Sequence, residues 1–157
     1  MFYGSWKLGM LDEGYEKVKF VREKVFVEEK GIPASEEYDR NDEIAAHLYV
    51  EQEDGTPIAA ARMYPDGKNT VIGRIAVMKD FRAESYYEFC LRMLLYKGQT
   101  IPNERIVTEI PTEFAGLYEK FGFSYDSEPF MTRGEMHVAM SVPSDGITWF
   151  SDCGGKH

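Results

Sequence analysis

Residues 79–97, KDFRAESYYEFCLRMLLYK, bring together the two ingredients of an anion site. An apolar segment, VIGRIAVM, precedes a polar turn, and an amphipathic stretch follows it. With a strand before the turn and a helix after it, the helix N-terminus presents unpaired N–H groups and the positive end of its dipole, which suits a phosphate or pyrophosphate. Cradles of this kind are commonly built with glycine, because bare backbone approaches the anion closely. Here the turn reads Arg82, Ala83, Glu84, Ser85, Tyr86, Tyr87. Ser85 is tolerable where its φ stays negative, and its hydroxyl can donate to an anion. Tyr87 either fills the cradle or swings out of it. Glu84 adds a negative charge, although glutamate in a first helical turn also complements the dipole. Arg82 reads either as an anion ligand or as a surface arginine.

A few other residues could move protons. His47, in AAHLYV, titrates in the useful range, but on a strand it reads equally as a hydrogen-bonded structural histidine. Tyr118, in LYEKFGF, carries a phenol that donates while neutral. Phe114, Leu117, Tyr118 and Phe121 also recur at helical spacing, so Tyr118 is at the same time a core candidate. Glu109 ends an apolar run, VTEIP. Cys90 and Cys153 are too few for a disulfide framework and lack metal-ligand spacing, so no metal is expected. Cys90 falls on an apolar helix face as a core thiol, and Cys153 lies in a C-terminal tail, DCGGKH.

The elements that position these groups follow from periodicity. Residues 2–9 read as a first strand. Residues 12–29 form a helix whose apolar face runs Tyr15, Val18, Val21, Val25 and then either Phe26 or Glu29. Lys30–Gly31 ends it, and Pro33 prevents its resumption. AAHLYVEQ and PIAAARMYP flank a tight turn at Asp54-Gly55, and Asp66-Gly67 turns into a strand over 70–78. A helix over about 84–98, the strand RIVTEI, a short helix EFAGLYEKF and two closing strands, GFSYD and MHVAMSV, complete the chain. The result is an α/β (α+β) domain with a mixed central sheet in the order β-α-β-β-β-α-β-α-β-β. One domain over 1–145 and a tail over 146–157 are expected. The 157 residues suffice for one real core, and 43% apolar with 14% aromatic residues makes a globular fold the default.

No run approaches the roughly 18 apolar residues of a membrane span. The N-terminus MFYGSWKLGM has neither the charged leader nor the apolar stretch of a secretory signal, so a cytoplasmic address is expected. A net charge of −9 argues against nucleic-acid binding and is compatible with a basic or amine substrate, or simply with solubility.

Three stretches together resemble the GNAT superfamily of N-acetyltransferases, in its small bacterial branch of uncharacterised members. They are VREKVFVEEKGIP, IGRIAVMKDFR, and LYEKFGF followed by FMTRGEMHVAM. The resemblance implies acetyl-CoA as co-substrate, its pyrophosphate over residues 82–87 and its pantetheine arm along the backbone of Ile75 and Val77. Against the family's loop pattern, Arg82 matches, Ser85 replaces the central glycine and Tyr87 the final small residue: a degenerate loop. The resemblance also implies Tyr118 as the acid for the departing thiolate. Glu28 and Glu29 would face the substrate side, His137 would line the acceptor pocket, and His47 or Glu109 would be the base. Thr112-Glu113 stands where the branch often has histidine or asparagine.

Two functions of different class follow. The first is acetyl-CoA-dependent N-acetylation of a small amine or basic peptide, with a homodimer as one assembly that the resemblance allows. The second is a GNAT-fold ligand-binding or interaction module with lost or altered CoA binding. A variant of the first keeps an acyl-CoA in a shifted pose, stacked on aromatic residues.

Overall fold

The computed structural model describes residues 1–151, so the expectation for Cys153 lies outside the described residues. Strand β1 (Phe2–Leu8) leads to helix α1 (Tyr15–Arg22), which widens into a π-helical segment, Glu23–Glu29. One helical turn, α2 (Ala34–Glu37), and a 3-10 turn, Arg40–Glu43, precede three antiparallel strands, β2 (Ala46–Gln52), β3 (Pro57–Asp66) and β4 (Asn69–Val77). Helix α3 (Tyr86–Gln99), strand β5 (Arg105–Pro111), a 3-10 turn and helix α4 (Ala115–Lys120) follow. Strands β6 (Ser124–Tyr125), β7 (Phe130–Thr132) and β8 (Glu135–Pro143) close the domain. The sheet order is β1-β2-β3-β4-β5-β8-β6, with β7 paired to the free end of β8.

Alternation along the central strands explains the layers. Leu48 and Val50 of β2, Ala59, Ala61 and Met63 of β3, and Ile72 of β4 pack with Leu91, Leu94 and Leu95 of α3. Tyr49, Ala60 and Ala76, on the opposite face, pack with Val18, Val21, Val25 and Phe26. β3 is covered on both sides, which is why it reads as the unbroken run IAAA rather than as an alternation.

The first helix settles one ambiguity and raises a new feature. Phe26 is buried and Glu29 exposed, because the helix widens: the Lys30 N–H donates to the Val25 carbonyl, five residues back. Gly31, at φ +73°, ends it in the left-handed region. Pro33 stops the helix as expected, yet a new turn, α2, starts directly after it, a position at which proline is well tolerated. β7 was not expected. It forms a hairpin with β8 through Arg133-Gly134, both at positive φ, as a two-residue turn between twisted strands requires. After residue 145, Ile147 and Phe150 pack against the core and Trp149 stacks on Tyr96.

Candidate active site

Among the described residues β4 and β5 form the only parallel pair, and they are paired at Thr70–Ile106 and Val71–Val107. Beyond that, the Thr108 hydroxyl donates to the Ile72 carbonyl (2.8 Å), and the strands part. Two sequence features hold them apart. β4 bulges where Ala60 opposes Ala76 but Arg62 opposes Gly73, placing Arg74 at φ +51°. Across the gap, Pro111 has no N–H to offer a ladder. The opening is a cavity of about 380 Å³. Gly73, Ile75 and Val77 form one wall, and Glu109, Ile110 and Pro111 the other.

The deep end is aromatic. Tyr118 of α4 is fully buried, and its hydroxyl lies 3.0 Å from that of Tyr87. The Tyr87 ring stacks on Phe114 with centroids 4.2 Å apart and planes 5° from parallel. Burial pushes both phenols well above the usual tyrosine range, so both are neutral at physiological pH. Two neutral phenols in contact use one O–H between them and keep the other for a third partner.

The turn before α3 keeps the form of an anion site. Ser85 sits at φ −84°, so no glycine is needed there. The first helical bond runs from the Phe89 N–H to the Ser85 carbonyl (2.9 Å), which leaves the amides of Tyr86, Tyr87 and Glu88 ahead of the ladder. Tyr87 has swung out of the cradle onto Phe114. Tyr86 turns the other way and packs edge-on to Phe2 and Phe81. Glu84 lines the cavity, and Ala83 and Ser85 are exposed. Arg82 is occupied: its Nε donates to the Val77 carbonyl (2.9 Å), and its terminal nitrogens pair with Glu29 (Nη2–Oε1 2.6 Å). The bond to Val77 engages one of the backbone groups of Ile75 and Val77 which the resemblance assigns to the pantetheine arm.

A third wall is charged. Glu37, fully buried, accepts from Arg22 (2.7 Å) and Arg133 (2.5 Å) and lies 3.4 Å from Arg74. Arg22 also donates to Asp42 (2.7 Å), and Arg62 bridges Asp42 (2.8 Å) and Asp39 (2.7 Å). Burial pushes the Asp39 and Asp42 carboxyls up, but Arg62 and, for Asp42, Arg22 more than offset it, and both end below the usual range.

The expected site residues divide accordingly. Tyr118, Glu109, His137, Ile75, Val77, Arg82, Glu84 and Tyr87 come together around the cavity. His137 is held by its Nδ1, 3.0 Å from the Glu135 carbonyl. Glu109 is exposed at the mouth of the splay. His47 is not brought to the cavity. It is fully buried, with Nε2 3.0 Å from the Asp42 carbonyl and its ring against Tyr15, and burial lowers its pKa. Of its two readings, the structural histidine describes its place. Glu28 is exposed and pairs with Lys24, and Glu29 reaches the site only through Arg82. Arg74, Arg133 and Glu37 join the site without any local sequence pattern that marks them as a group. The sole sequence hint was Arg133-Gly134 in TRGEM, a turn signal placed between two strand-like segments.

A sequence profile described as acetyltransferase (GNAT) domain matches residues 21–94. A candidate acetyltransferase of Bacillus subtilis is 32% identical over 130 residues, spanning 80% of this chain and 86% of that protein. The chain belongs to the GNAT superfamily. Escherichia coli ElaA shares the fold at a TM-score of 0.79 and 21% identity, over 90% of this chain and 99% of its own. A GNAT family acetyltransferase from Elizabethkingia anophelis, solved with acetyl-CoA bound, aligns at a TM-score of 0.63 and 16% identity, over 90% and 97% of the two chains. The mixed sheet with its parted β4 and β5 is thus a GNAT acyltransferase fold, and acyl transfer is the chemistry of that family.

Proposed function

We propose that this GNAT chain is an acetyl-CoA-dependent N-acetyltransferase acting on a small amine. The observation that carries the reading is the neutral Tyr118–Tyr87 phenol pair at the floor of the β4–β5 splay. The cavity falls within the ~300–1,000 Å³ of small-molecule sites. The amides of Tyr86, Tyr87 and Glu88 suit a pyrophosphate at the α3 N-terminus. Acetyl-CoA, when bound, would supply an activated acyl thioester.

The chain's own groups account for the remaining work. The parted strands orient a narrow ligand between two walls and exclude water on the aromatic side. The phenol pair keeps one O–H to donate, in an environment where donating to a developing thiolate is favoured over ionising to the solvent. Glu109, at the mouth of the splay, is the carboxylate placed to take a proton from an incoming ammonium, and His137 is the second basic group on the cavity.

Tyr118→Phe tests the assignment. Thiol release from acetyl-CoA with an amine panel should fall about 100-fold or more in kcat, with the affinity for acetyl-CoA unchanged. Unchanged turnover would return Tyr118 to a purely packing role. The alternative, a binding module with altered CoA recognition, draws on Glu84 in the cavity and on the Arg82–Glu29 pair. It requires that acetyl-CoA fail to bind.

A further inference from the structure

The charged wall is not electrically balanced. Arg22, Arg62, Arg74 and Arg133 share three carboxylates, Glu37, Asp39 and Asp42, which leaves one positive charge in excess within the cluster. Of these four arginines, Arg74 and Arg133 line the cavity. Arg133 uses half of its fork. Nη2 donates to Glu37, whereas Nη1 is buried and has no hydrogen-bond partner among the described residues. Its guanidinium also lies over the Phe26 ring, 4.9 Å from the centroid, which fixes the plane of the fork. Burial first, and then the neighbouring guanidiniums of Arg62, Arg133 and Arg22, opposed by Glu37, bring Arg74 down to about 10, still charged at neutral pH.

Backbone geometry points to the same pair. Arg74 and Arg133 are the only non-glycine residues at positive φ among the described residues, both at +51°. An L-residue is disfavoured there relative to the right-handed region. One arises from the β4 bulge and the other from the β7–β8 turn, so two unrelated distortions bring two guanidiniums onto one cavity. Strain of this kind concentrates at ligand sites. An ion pair serving stability alone needs neither the surplus charge nor the unused fork.

We propose that the acceptor is a small amine bearing a carboxylate, such as a free amino acid, with the carboxylate held by Arg133 and Arg74. The amine half of this assignment rests on the acyltransferase reading, and the carboxylate half rests on the charged wall alone. A guanidinium fork matches a carboxylate in a planar, two-bond geometry that a lysine cannot reproduce. Lys30 on the same cavity is paired with Glu135 (3.0 Å) and adds no free cation. Glu109 and Glu113 also line the cavity, and are there for the ammonium end.

The test is ligand binding by the full chain, followed by thermal unfolding and calorimetric titration. The proteinogenic amino acids are each compared with the matching amine that lacks the carboxylate, and inorganic phosphate serves as a bare anion. All arms run with and without CoA, so failure of CoA to bind, which would sink the acyltransferase reading, leaves this one measurable. One or more amino acids should bind at least about tenfold more tightly than their decarboxylated partners and than phosphate. That preference should vanish in Arg133→Gln and be only partly restored in Arg133→Lys. The wild-type comparison stands even if Arg133→Gln is poorly folded. The proposal is overturned if no amino acid binds, if the amines bind as well, if phosphate does as well as the best amino acid, or if a folded Arg133→Gln keeps the preference.

Discussion

The two ends of the cavity solve opposite problems with opposite chemistry. At the aromatic end, Tyr87, Tyr118 and Phe114 keep polar atoms neutral: burial drives the phenols away from ionisation, and their O–H to O–H contact uses one proton and leaves the other to donate. At the charged wall, nothing is neutral. Arg22 and Glu37 are completely buried as ions, and each is held by several partners because a lone buried charge would be intolerable. The comparison shows how one small domain offers a proton donor at one place and a fixed cation at another. The first needs burial that keeps a hydroxyl neutral, the second a cluster with one more cation than it can balance.

The largest effect should come from breaking the charged wall at its deepest member. Arg22→Met leaves Glu37 and Asp42 without their main partner and should cost about 3–5 kcal/mol in chemical denaturation. A loss under about 1 kcal/mol would mean that Arg62, Arg74 and Arg133 take over, and that the wall is less specific than described.

At the aromatic end, Tyr87→Phe keeps the stack on Phe114 but removes the hydroxyl partner of Tyr118. It should lower kcat about 10-fold, a smaller loss than Tyr118→Phe, while acetyl-CoA affinity holds. Equal losses in the two variants would favour Tyr87 as the direct donor.

The pH profile of stability separates the ends without mutation. Asp39 and Asp42 have folded pKa values below their unfolded ones, so their contribution is present above about pH 4 and is lost as the pH falls through the folded values. His47 is also depressed, by burial first, so stability begins to fall below about pH 6.5, where the unfolded histidine takes up a proton and the folded one does not. The tyrosines are raised, so their contribution is complete below about pH 10 and is lost as the pH rises beyond it. Urea unfolding across pH 3–11 should show an acid limb from the charged wall and an alkaline limb that Tyr118→Phe flattens. An alkaline limb unchanged in that variant would contradict the burial assigned to its phenol.

The smallest effect is at the rim. Both partners of the Arg82–Glu29 pair are more than a third exposed, so Glu29→Gln should change stability by at most about 1 kcal/mol. By freeing Arg82 it should tighten acetyl-CoA a few-fold at low salt, an advantage that shrinks as salt screens it. Weaker binding would show that the pair shapes the loop rather than withholding the arginine.

What could be read in advance divides along the same line. Periodicity and turn chemistry place the strands other than β7, and α1, α3 and α4, because burial of one face is a local pattern. Tyr118, Tyr87 and Arg82 could be singled out because they sit in contiguous stretches. The charged wall was hidden because its members come from α1, α2 and the 3-10 turn after it, β3, β4 and the β7–β8 turn, and no local pattern links Glu37 to Arg133. The π-helical widening that buries Phe26 instead of Glu29, and the positive φ of Arg74, arise from packing and bulging that sequence propensities do not encode. His47 illustrates the reverse: its chemistry drew attention, while its place in AAHLYV, on a covered strand, was the better guide.

The central claim is that the parted strands and the glycine-free turn accept acetyl-CoA. Thermal unfolding with acetyl-CoA at about 100 times a micromolar dissociation constant tests it most directly. Binding at that excess adds roughly 2.7 kcal/mol, which for a domain of this size raises the midpoint by about 5–11 °C. A rise of that size is the result expected. A cooperative transition that does not move would contradict the account and leave the fold as a binding module without its acyl donor.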